Sequence, residues 1–119
     1  MRVIIICVRL DLTQMKKTLL LLSLLSFNAF AADVETVLVI KDHRFQPAEL
    51  RVPAGKKIKL VVHNQDATPE EFESYELNRE KIIAGGARAT LFIGPLSQGR
   101  YPFFGEFNQK TAQGVLIAE

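Results

Sequence analysis

Sulfur is almost absent from this chain of 119 residues, and it is confined to one end. The single cysteine is Cys7, the two methionines are Met1 and Met15, and there is no tryptophan. From Lys16 onward no disulfide can form, so no cross-link supports the fold. A zinc site of thiolates is excluded there. So is a copper site made of two histidines, a cysteine thiolate and a weak axial methionine. Enzyme signatures are missing too: there is no glycine-rich phosphate loop, no G-x-S-x-G elbow and no H-E-x-x-H helix. The chain shows no repeat, linker or low-complexity segment, and it is not expected to be an enzyme.

Positive charge is also scarce where it would matter. The formal net charge is +2, but from Ala32 onward 11 lysines and arginines face 12 aspartates and glutamates, a net of −1. A nucleic-acid binder needs a basic face, and nucleic acid is not an expected partner.

What is present begins with a targeting signal. Met15-Lys16-Lys17 precedes an apolar run from Thr18 to Phe30 that closes on Ala29-Phe30-Ala31. A short basic region, a short apolar region and small residues at the end define a secretory signal. The run falls short of the ~20 residues that span a bilayer. The pattern predicts a signal peptide over 15–31, translation from Met15, residues 1–14 as an upstream extension, and a periplasmic domain over 32–119. A domain of that size buries only about 60% of its unfolded surface, so its strands must pack closely.

Those strands are legible. Val34 to Ile40 is rich in β-branched residues, and Phe45 to Val52 is extended but interrupted by Pro47. Lys57 to His63 alternates, with Ile58, Leu60 and Val62 on one face. Ala87 to Ile93 alternates likewise, and Arg100 to Phe104 and Gly114 to Ala118 supply two more strands. Turn residues recur at Pro53-Ala54-Gly55, Gly85-Gly86 and Gly94-Pro95. Ser74 to Lys81 is the one candidate helical turn. The spacing predicts an all-β Greek-key sandwich of about seven strands. Its expected core holds Leu38, Ile40, Leu60, Val62, Leu91, Ile93, Phe103 and Leu116.

Phe45-x-Pro47 leading into Val52-Pro53-Ala54-Gly55, then Asn64-Gln65-Asp66, then Pro95-Leu96 and Gly99-x-Tyr101, resembles the cupredoxin skeleton over about Val34 to Glu119. Within it, Glu70-Glu71-Phe72-Glu73-Ser74 and Gly105-Glu106-Phe107 resemble a carboxylate-bearing branch. That branch includes the cupredoxin domain of the periplasmic iron-uptake protein and small relatives linked to ferrous-iron permeases. The resemblance implies an inner-membrane iron permease or another periplasmic protein as partner. It also implies where ligands would fall. The first histidine position holds Glu70 or Glu71, the cysteine position falls at Gly105 with Glu106 beside it, the second histidine is nearest Asn108, and no methionine follows. Type 1 copper is therefore not expected.

Five glutamates lie between Glu70 and Glu80. On a strand, Glu71 and Glu73 share a face, with their Cα atoms about 6–7 Å apart, while Phe72 turns to the core. Glu106, from a loop at the same end, adds a third oxygen donor. Oxygen-rich sets suit ferric iron, manganese or calcium, and Cu(II) accepts oxygen mixed with imidazole. Glu71, Glu73 and Glu106 are the first candidates for a metal, iron or copper, with Glu70, His43 and His63 next. The alternative is a solvated acidic loop. His63 falls on the outward face and His43 in a turn, so each reads either as surface or as an imidazole donor. Two functions follow: a periplasmic metal-binding module accessory to iron or copper uptake, or a metal-free module that docks on a permease or envelope protein.

Overall fold

Alternation along each strand decides which side chains enter the core, and the computed structural model, which describes residues 33–119, shows nine strands built on that rule. They are β1 (Val34–Lys41), β2 (Arg44–Gln46), β3 (Glu49–Val52), β4 (Ile58–Asn64), β5 (Glu70–Ser74), β6 (Arg79–Ile83), β7 (Arg88–Ile93), β8 (Gly99–Gly105) and β9 (Gln113–Ala118). One sheet has the order β2-β1-β4-β7 and the other β3-β9-β8-β5-β6. β1 pairs parallel with β4, and β3 parallel with β9. The chain passes between the sheets five times, after β2, β3, β4, β6 and β7, so each sheet takes strands from both halves of the domain. This is the expected all-β sandwich. The expected signal peptide and upstream extension lie outside the described residues.

All eight expected core residues are buried. β4 lies between β1 and β7, with Ile58 opposite Ile93, Leu60 opposite Leu91 and Val62 opposite Ala89. Each large apolar side chain buried this way contributes roughly 1.5–3 kcal/mol. Three rings join the sheets: Phe45 from β2 meets Phe72 of β5 at 6.2 Å and Phe103 of β8 at 5.0 Å, both edge-on. Edge-to-face pairs at such distances add to the gain from burial.

The strand count exceeds seven for two local reasons. Pro47 has no N–H for a ladder and splits the Phe45–Val52 stretch, so β2 and β3 join different sheets. Ser74 to Lys81 is not a helical turn but the end of β5, a tight turn and the start of β6. Asn78 closes that turn with a positive φ of 53°, a conformation Asn tolerates. Inside it, buried Leu77 donates its backbone N–H to Ser74 Oγ at 3.1 Å, and Ser74 Oγ donates to the Pro102 carbonyl at 2.7 Å.

Candidate metal centre

The acidic strand β5 divides its side chains strictly. Glu70, Phe72 and Ser74 are buried, and Glu71 and Glu73 face outward, half-buried. Opposite β5, the hairpin register sets Glu80 of β6 directly across from Glu73 and Ile82 across from Glu71. Carboxylate oxygens of Glu71, Glu73 and Glu80 lie within 4.8 Å of one another. An ion with metal–oxygen bonds of about 2.0–2.6 Å would hold its ligand oxygens up to about 4–5 Å apart, so the three side chains are in range of one cation.

Glu106 enters from the other side of β5. Glu73 is paired with Phe104 of β8, and Glu106 stands two residues farther on, in a 3₁₀ turn at Glu106–Asn108. Partial burial and a hydrogen bond to Glu106, with the charges of Glu106, Glu71 and Glu80 behind them, push the Glu73 carboxyl above its ordinary range. The charge of Glu73, with burial and Glu106, likewise raises the Tyr75 hydroxyl. The four ion pairs among the described residues join His43 to Asp66, Arg51 to Glu49 and Glu119, and Lys59 to Glu35. None neutralises Glu71, Glu73, Glu80 or Glu106. Arg79, next along β6, spends its guanidinium on the carbonyls of Phe92 and Asn78.

The other candidates are placed elsewhere. Glu70 points inward and is 1% exposed. His63 lies on β4 in the opposite sheet, paired with Val39 and Arg88, and is half-buried. His43 forms the β1–β2 turn, where Asp42 and His43 both have positive φ, 53° and 57°. Asp66 accepts the backbone N–H groups of Asp42 at 2.8 Å and His43 at 3.0 Å. These bonds, that of His43 first, outweigh partial burial and hold the Asp66 carboxyl below its usual value. Neither histidine joins the acidic group. Of the aromatic residues flanking the last loop, Phe103 is core, Phe104 meets Tyr75 at a tilt with ring centroids 5.6 Å apart, and Phe107 is exposed.

Sequence reasoning passed over Glu80, because only the register of β6 reveals it. It also passed over Asn64, which is fully buried. Asn64 donates to the Thr68 and Ile83 carbonyls at 2.8 and 3.1 Å and accepts the Asp66 N–H at 3.0 Å, fixing the loop that leads into β5.

Comparison with known proteins places this β-sandwich of two mixed sheets. The family model of the cupredoxin-like domain matches residues 17–118, and the chain belongs to the cupredoxin-like family. An uncharacterised protein of Rickettsia prowazekii (strain Madrid E) is 46% identical over 84 residues, covering 71% of this chain and 67% of that one. Among solved structures, the fold is similar to auracyanin A, a "blue" copper protein of Chloroflexus aurantiacus. The TM-score is 0.64 at 13% identity, over 74% of this chain and 100% of that one. It is also similar to the metal-binding domain, solved with Cu(I), of the Cu(I)-exporting P-type ATPase CopA of Streptococcus pneumoniae D39. There the TM-score is 0.62 at 14% identity, over 76% of this chain and 91% of that one.

Type 1 copper does not fit the residues present. No sulfur follows Met15. At the expected cysteine position a Cβ on Gly105 would stand 2.7 Å from Glu70 Cδ and 2.7 Å from Ala112 Cβ.

Proposed function

We propose that this chain is an exported, non-enzymatic metal-handling module that holds a hard or borderline cation on the outer face of its larger sheet. Glu71, Glu73 and Glu80 supply the oxygen donors, and Glu106 adds its negative charge beside Glu73. The observation that carries this reading is the convergence of three carboxylates within 4.8 Å, none of them in an ion pair among the described residues. The likeness of the β5 and Gly105-Glu106-Phe107 segments to the iron-uptake branch supports iron as the cargo, with Cu(II) as the other candidate. It also supports delivery to an inner-membrane permease. The Lys16-Lys17 signal pattern supports a periplasmic location.

A second reading has its own observation. Tyr75, Ile82 and Phe107 are all exposed, and Ile82 lies directly across the hairpin from Glu71. Such a mixed acidic and apolar rim suits docking on a basic protein surface without metal. Metal analysis of the untagged protein purified from the periplasm separates the two readings. Stoichiometric iron, copper or manganese that is lost in Glu71→Gln/Glu80→Gln supports the metal module. Metal-free protein from metal-replete cells supports docking.

A further inference from the structure

Three of the positions at which the family resemblance places metal ligands, Glu70, Asn108 and Gly105, lie against one another. Glu70 on β5 carries its carboxylate into the interior, where Oε2 accepts from Asn108 Nδ2 at 2.7 Å. Its Oε1 accepts the backbone N–H of Phe107 at 2.9 Å and of Glu71 at 3.0 Å. Every buried side-chain nitrogen and oxygen among the described residues has a partner. The third position, Gly105, closes the other wall, since a Cβ there would come within 2.7 Å of Glu70 Cδ and 2.9 Å of Oε1. Its backbone, φ −93° and ψ 112°, is ordinary extended chain. Space, not conformation, therefore demands glycine.

We infer that the Glu70 carboxylate occupies the place where the family's ligand positions would enclose copper, so that this cavity is closed to metal and held by a carboxylate–amide clasp. The clasp does the mechanical work of a metal. It ties β5 to the 3₁₀ turn through the Phe107 N–H and the Asn108 side chain. Asn108 in turn accepts the Thr111 and Ala112 N–H groups at 3.2 and 2.8 Å, and Gly105 donates to the Ala112 carbonyl at 2.9 Å. A carboxylate that accepts several hydrogen bonds, one from a side-chain amide, satisfies a buried negative charge locally. The loop between β8 and β9 is thus ordered by the chain itself. This inference is independent of the outer carboxylate site, from which Glu70 points away.

The test is a double-mutant cycle of Gly105→Ala and Glu70→Ala, read as urea midpoints of the exported protein, with hydrogen exchange of the Phe107 amide. If Glu70 fills the space, Gly105→Ala lowers the midpoint strongly beside Glu70 and markedly less beside alanine. Beside Glu70→Gln, which keeps the volume, Gly105→Ala lowers the midpoint as much as it does beside glutamate. Glu70→Ala should also speed exchange at Phe107 by tenfold or more while leaving Leu60 protected. If Gly105→Ala alone does not fold, recovery of a cooperative melt in the double variant supports the inference. A double variant that fails to fold although Glu70→Ala alone folds shows that Ala112 bars the position by itself, and overturns it. Equal midpoint losses beside glutamate and alanine overturn it as well.

Discussion

Glu73 and Glu80 stand directly opposite each other across the β5–β6 hairpin, two like charges set side by side by the register. Directly opposed like charges weaken a sheet, and here Glu71 and Glu106 add to the same field. A lysine at position 80 would serve the hairpin better. The arrangement carries a stability cost that the proposed cation would offset.

The first prediction concerns that cost. The raised Glu73 carboxyl binds its proton more tightly in the folded chain than in the unfolded one. As pH rises past the ordinary value of 4.5, the unfolded chain releases its proton first and the fold loses stability until the folded value is passed. Glu80→Gln and Glu106→Gln should each raise the metal-free melting temperature at pH 7. The gain should disappear below pH 4.5. A gain that is the same at both pH values would contradict this origin.

Asp66 predicts the opposite pH dependence. Its carboxyl is held below the ordinary 3.8, so the stability it adds is fully present above that value and is lost as pH falls through the lower folded value. Asp66→Ala removes two hydrogen bonds to the exposed β1–β2 turn and should cost about 1 kcal/mol at pH 6. Denaturant melts as a function of pH should show the wild-type advantage shrinking below pH 3.8.

Leu60 is wholly buried between Thr36 of β1 and Leu91 of β7. Leu60→Ala should destabilise by about 2–5 kcal/mol, and Phe72→Ala, which breaks the ring cluster that joins the sheets, by about 3–5 kcal/mol. Urea melts check both. A loss under half a kcal/mol at Leu60 would contradict the core assignment.

Asn64→Ala strands the Thr68 and Ile83 carbonyls and the Asp66 N–H. The expected loss is about 1–3 kcal/mol, with hydrogen exchange speeded at Asp66, in the loop after β4, more than within β4 itself.

Much of this fold can be read from period-two alternation. β4 and β7 declare their inward faces through Ile58, Leu60, Val62, Leu91 and Ile93. β6 does not, because Arg79, Glu80, Lys81 and Ile82 are all exposed. It is an edge strand whose identity comes only from pairing with β5, and its charges are what an edge strand uses to discourage further pairing. Glu80 stayed hidden for the same reason. Its place opposite Glu73 depends on a four-residue turn that Asn78 closes with positive φ. The two-residue spacing of Glu71 and Glu73 was legible. So was the shared parity of Glu70 with Phe72, which marks Glu70 as inward. Neither histidine could be placed from sequence, because its distance from β5 depends on which sheet its strand joins.

The central claim, a cation held by oxygen donors outside the sandwich, is tested most directly by calorimetric titration with Mn(II), Cu(II) and Fe(III) supplied as citrate. The comparison is between the exported protein and Glu71→Gln/Glu80→Gln. The account predicts one site per chain on the native protein, and affinity that falls as pH drops through the carboxylate range. It also predicts no intense blue band with Cu(II), and a loss of tenfold or more in the double variant. Equal, weak binding of every ion by both proteins would contradict it.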